Sequence, residues 1–135
     1  MNSAWMVRTI WGAGFVHSGI VIANLRLPAR LRVRERLEAV PLFLRQIFYV
    51  HWLFIVIMVG MFAALCFGFA CELASGSGLG RFLSGFLCAF WALRMVLQVL
   101  YYDRAVRQEN RILDLLYLGS LVVLVAVFGA AAWNR

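Results

Sequence analysis

A chain of 135 residues that is 64% hydrophobic and only 14% charged, with a mean hydropathy of +0.87, carries more apolar surface than a soluble fold of this size can bury. The composition excludes an ordinary soluble enzyme domain and points to an integral membrane protein. The formal net charge of +7 rests on arginine alone, with no lysine, and membrane topology accounts for where the arginines lie, so nucleic acid is set aside as a partner.

Four apolar runs follow in chain order, at about 4–25, 42–71, 82–102 and 112–133, and each reaches the roughly 20 residues that cross a bilayer core as a helix. Their connectors, about 16, 10 and 9 residues long, are too short for a soluble domain. Residues 1–135 therefore read as a single all-α domain, a polytopic antiparallel bundle of four transmembrane helices. The first run has Arg8 as its only early charge, and Val21-Ile22-Ala23-Asn24-Leu25 lacks a small-x-small cleavage site, which favours a retained span over a signal peptide.

In the first connector, Pro28 and Pro41 punctuate a segment in which Ala29, Val33, Leu37 and Val40 share one side of a helical wheel while Arg30, Arg34 and Glu38 share a neighbouring one. This predicts a short interfacial helix between spans 1 and 2. Its apolar stripe would lie among the headgroups, and Arg30, Arg32, Arg34 and Arg36 would meet anionic lipid, each at about 1 kcal/mol. Arg26 and Arg45 flank this segment, and Arg104, Arg107 and Arg111 occupy the third connector. The positive-inside rule then places both basic connectors in the cytoplasm and both termini outside.

The second run, about 30 residues or about 45 Å as a helix, must tilt or protrude. Gly60, Ala64 and Gly68 form a smooth stripe on it, and Gly14 with Ser18 forms a shorter one in the first run. These stripes predict close packing of the first two helices, or of either with another subunit. The Gly- and Ser-rich stretch Glu72–Gly80 predicts a flexible turn, and without a strand or a lysine its glycines do not make a phosphate loop.

With boundaries near Leu25, Leu42, Tyr102 and Ile112, His17, His51, Arg94 and Ser120 all fall eight or nine residues inside, about 12–13 Å deep. This predicts one polar layer. Ionisable groups at such depth face a bundle interior, a ligand or water. Arg94 is expected to find no carboxylate there, because Asp114 sits near the membrane edge and the Arg94 side chain sets out toward the opposite side. Gln98, one turn on, extends its polar face together with Tyr101 and Tyr102.

Two neutral imidazoles at one depth on neighbouring helices, His17 and His51, could ligate a b-type haem whose propionates would suit arginine. A quinone or other lipid-like ligand near His51, Arg94 and Gln98 is a second cofactor reading, and structural hydrogen bonds between helices are a third. Two histidines lack the further ligand and base of a metal hydrolase, and no Ser/His/Asp nucleophile set exists. Cys66 and Cys88 fall at similar depth and could meet, leaving Cys71 near the surface.

The stretches from Val16-His17 through Leu27-Pro28-Ala29-Arg30-Leu31, from Leu44-Arg45-Gln46 to Val50-His51, and from Phe90-Trp91 through Arg94 and Gln98 to Tyr102-Asp103 resemble an uncharacterised family of small four-span bacterial membrane proteins. The resemblance implies a four-helix membrane fold and marks His17, Arg45, Gln46, Arg94, Gln98 and Asp103, with no activity attached. The expected protein is thus a small bacterial inner-membrane accessory or anchoring subunit of a larger complex, or a homo-oligomer, with no catalysis of its own. The alternatives are a haem- or quinone-binding electron-transfer subunit and, more weakly, a small-molecule transporter.

Overall fold

A computed structural model describes residues 3–101 and 111–134. Within them the chain forms α1 (Ser3–Arg30), α2 (Val33–Arg36), α3 (Leu42–Gly68), α4 (Ala70–Ala74), α5 (Gly78–Leu100) and α6 (Arg111–Trp133). The four long helices, α1, α3, α5 and α6, are each long and apolar enough to cross a membrane, and no strand occurs among the described residues. The expected all-α, four-span architecture with a short helix between spans 1 and 2 is what the chain forms. Arg104, Arg107 and the end of the third span at Tyr102 lie outside the described residues.

Helices α1 and α3 pack as one pair, and α5 and α6 as the other. The pairs join where α1 meets α6 and where α4 bridges α1 and α5. Glycine at position 14 lets α1 approach closely, since a Cβ there would stand 2.8 Å from the Phe67 ring and 3.1 Å from Cys66 Cβ. Opposite this contact, α3 and α5 do not approach as backbones among the described residues. They meet through rings, with Phe62 against Phe86, Phe90 and Trp91 at centroid distances of 6.4, 5.1 and 6.3 Å.

Buried apolar side chains concentrate in one half of the bundle. Met6, Ile10 and Ile20 of α1 pack with Phe62 and Cys66 of α3, Leu73 of α4, Leu87 and Trp91 of α5, and Leu121, Leu124 and Phe128 of α6. In the arginine-rich half, α1 after Ile20, α3 before Val59 and α6 before Leu121 bury no side chain, and α5 beyond Trp91 buries only Gln98. Lipid tails are as apolar as leucine, so helix pairs in a bilayer need no continuous apolar core to remain side by side.

Several boundaries differ from the sequence reading for identifiable reasons. Span 1 does not stop at Leu25, and Pro28 does not end it, because α1 runs through Pro28 to Arg30. Proline removes the N–H that would bond the Asn24 carbonyl, and the Trp52 indole supplies the missing donor, with Nε1–H reaching the Asn24 oxygen at 3.2 Å. The lengthened α1 leaves only one turn for α2. That turn starts after Arg32, a non-glycine residue in the left-handed region at φ 48°, ψ 45°. The arginines Arg30, Arg32, Arg34 and Arg36 are exposed, whereas Val33, Leu37 and Val40 are half-buried, so the predicted two-sided character survives in the shorter form.

Span 2 breaks at Phe69 and α4 carries the chain on, packing Ala70, Leu73 and Ala74 inward. The Gly/Ser connector shrinks to Ser75–Gly76–Ser77, and hydrogen bonds define it. Ser75 Oγ donates to the Glu72 carbonyl at 2.7 Å, and Ser77 Oγ caps α5 by accepting the Gly80 N–H at 3.1 Å. Gly76 takes φ 68°, and Asn134 at the end of α6 donates from Nδ2 to the Ala74 carbonyl at 3.3 Å. At Gly80 a Cβ would collide with the Glu72 carbonyl oxygen, so glycine is required for this closure.

Candidate functional site

His17 is fully buried where the four long helices converge. Its Nδ1 lies 2.7 Å from the Ala13 carbonyl oxygen, which can only accept, so Nδ1 carries the proton. Nε2 is then the acceptor, and the Trp91 indole N–H donates to it at 3.0 Å. Rings of Phe62, Trp91 and Phe128 surround the imidazole at centroid distances of 5.9, 5.3 and 5.8 Å, and Cys66 Sγ stands 3.9 Å from Nδ1. One side chain from α1 thereby touches α3, α5 and α6. With both nitrogens engaged, His17 presents no lone pair to a metal.

His51 is not its neighbour. Trp52 is level with Asn24 through their hydrogen bond, and Asn24 lies seven residues along α1 from His17, about 10 Å at ~1.5 Å per residue. The predicted single layer is therefore two, and the two histidines do not face one another across a porphyrin-sized space. Placing the boundary at Leu25, when α1 reaches Arg30, produced the apparent coincidence. His51 is exposed, with Nδ1 donating to the Ile47 carbonyl at 2.9 Å. Ser120 only closes its own turn, donating to the Tyr117 carbonyl at 2.6 Å.

Arg94 also corrects the sequence reading. Its Nη1 donates to Gln98 Oε1 at 3.1 Å, Gln98 Nε2 donates to Asp114 Oδ1 at 2.7 Å, and the guanidinium carbon stands 5.3 Å from the centroid of the Tyr117 ring. A carboxylate thus does belong to its network. The long arginine stem overrides the initial direction of its Cα–Cβ bond, and the amide of Gln98 spans the gap to the first turn of α6, where an acidic group is favoured by the helix dipole. Gln98 is buried, while Arg94 and Asp114 are half-buried.

Cys66 and Cys88 do not meet. Cys66 turns toward His17, whereas Cys88 Sγ donates to the Val125 carbonyl on α6 at 3.5 Å, and both remain free thiols, as does Cys71. Among the described residues no group of three His, Cys, Asp or Glu side chains could hold a metal ion, and every buried side-chain nitrogen or oxygen has a partner. Sequence reasoning singled out His17, Arg94 and Gln98 but missed Trp91 as the donor to His17, Asp114 as the end of the Arg94 chain, and the Trp52–Asn24 bond. The signal for the last was present, since a proline inside a membrane helix leaves one carbonyl to be satisfied. No protein family, curated protein or solved structure matches this chain.

Proposed function

We propose that this protein is a small accessory or anchoring subunit of a larger complex in a bacterial inner membrane, one domain without catalysis of its own. Both termini would lie outside, and the Arg26–Arg45 segment would lie on the cytoplasmic face against anionic lipid. The observation that carries this reading is how the buried polar groups are used. His17, Ser84 and Gln98 each make hydrogen bonds within the chain that hold neighbouring elements together. Such bonds specify helix positions.

Support for a partner comes from the outer face of α3. The stripe Gly60, Ala64, Gly68 is turned away from α1, Ala64 and Gly68 are exposed, and nothing lies within 4 Å of a Cβ built on Gly60 or Gly68. A smooth stripe that its own bundle does not use suits close approach by another transmembrane helix. A photo-crosslinking side chain placed at position 64 in native membranes should yield one discrete heavier product, and the same probe at Val123 on α6 should yield none. Failure to crosslink at 64, or equal yield at both positions, would remove this reading.

A further inference from the structure

We infer that the cavity where α3, α4 and α5 meet binds a lipophilic cation, a quaternary alkylammonium whose head lies against Glu72 and Phe69 while its chain enters the apolar pocket below them. This goes beyond the subunit role, because one chain alone makes the site and the outward stripe of α3 takes no part in it.

The cavity follows from the break in span 2. Helix α3 stops at Gly68, Phe69 takes φ −128° and ψ 28°, and α4 turns Leu73 into the core. The start of α5 is tied to that displaced turn. Ser84 Oγ donates to the Leu73 carbonyl at 3.4 Å, and Gly80 lies against the Glu72 carbonyl where a Cβ would not fit. The α3 and α5 backbones stay apart, and a half-open cavity of about 300 Å³ is left between them. That is the lower end of the range for small-molecule sites, and it suits one alkyl chain better than the paired tails of a phospholipid.

Floor and rim differ in chemistry. Leu65, Leu73 and Leu83 form an apolar floor, the first and last half-buried and Leu73 fully buried. Phe69, Glu72 and Leu79 are exposed at the rim. Leu65 lies one turn inside Phe69, and Leu83 one turn inside Leu79, each about 6 Å toward the middle of the bundle. An occupant therefore meets a carboxylate and a ring at the mouth and only aliphatic side chains beneath them.

Glu72 sets the sign of the head. Glu35, Glu38, Asp103, Glu109 and Asp114 lie in or beside the arginine-rich connectors, which leaves Glu72 as the only acidic side chain in the rest of the sequence. It forms no ion pair among the described residues. The nearest base in sequence, Arg81, is drawn to α6 instead, with Nε donating to the Ala132 carbonyl at 3.3 Å. A quaternary ammonium is attracted by a carboxylate and by the face of a phenyl ring at once. A phosphate or sulfate head is repelled by Glu72, and an uncharged lipid gains nothing from it.

The test is equilibrium binding of decyltrimethylammonium to the full chain in dodecyl maltoside, with empty micelles subtracted. Saturable one-to-one binding is expected. It should weaken about tenfold in Glu72→Gln and for the net-neutral decyldimethylamine oxide, and about threefold in Phe69→Leu, the sizes set by one charge-assisted contact and one cation–π contact. Leu83→Trp, which fills the floor, should abolish binding, and Glu38→Gln in the arginine-rich half should leave it unchanged. Glu72→Gln and Phe69→Leu alter exposed side chains only, and circular dichroism showing the same helix content in all variants separates loss of the site from loss of fold. Non-saturable partitioning, equal affinity for the cation and the amine oxide, unchanged binding in Glu72→Gln or in a folded Leu83→Trp, or displacement by phosphatidylethanolamine at the same concentration would each overturn the inference.

Discussion

At residue scale, His17 and His51 show why identical side chains in adjacent spans need not share a role. Both use Nδ1 to cap a carbonyl four residues back in their own helix, at 2.7 and 2.9 Å. Only His17 lies among rings from three other helices and receives the Trp91 N–H. In Trp91→Phe the fully buried His17 Nε2 loses its donor, which should cost about 1–3 kcal/mol in a detergent or SDS unfolding titration. Adding His17→Phe removes the orphaned acceptor, so the double variant should recover part of that loss. If Trp91→Phe unfolds at the wild-type midpoint, the bond is not structural. The sequence marked both histidines as intramembrane but could not rank them, because the partner of His17 lies 74 positions away and its identity depends on how α1 and α5 rotate.

At the scale of elements, the instructive case is α1. Proline read as punctuation predicts an end near residue 28, yet the helix continues because the carbonyl freed at Asn24 is paid off by Trp52 on the neighbouring helix. Local rules see the proline and not its remote compensator, and the extension of α1 to Arg30 both shifts the depth of His17 against His51 and leaves only one turn for α2. The Trp52–Asn24 bond should couple Trp52 and Pro28 thermodynamically. Trp52→Phe should destabilise the protein by about 0.5–1.5 kcal/mol, and in a Pro28→Ala background, where residue 28 regains its N–H, the same substitution should cost clearly less. Strictly additive effects in the cycle would show that the indole serves some other purpose. Arg94 carries a similar lesson: its spacing to Gln98 was legible, but the link to Asp114 required knowing that α5 and α6 pack along their length.

For the whole molecule, composition and four apolar runs were enough to place the chain in a membrane as four helices, since bilayer thickness fixes the length of a span and the bilayer core forces backbone groups to bond internally. Pairing was less accessible: of the two small-residue stripes, which could serve the α1–α3 contact or another subunit, Gly14 lies inside the α1–α3 contact while Gly60, Ala64 and Gly68 lie outside it. Those outward residues are the surface that the proposed subunit role would use. Native mass spectrometry of the protein released from its own membrane in mild detergent tests this claim most directly. A subunit role predicts that the 15.3 kDa chain leaves the membrane within a larger assembly of fixed stoichiometry, and that Ala64→Leu releases it as a folded monomer. A wild-type chain that emerges alone, fully folded and at its own mass, would rule out the subunit role.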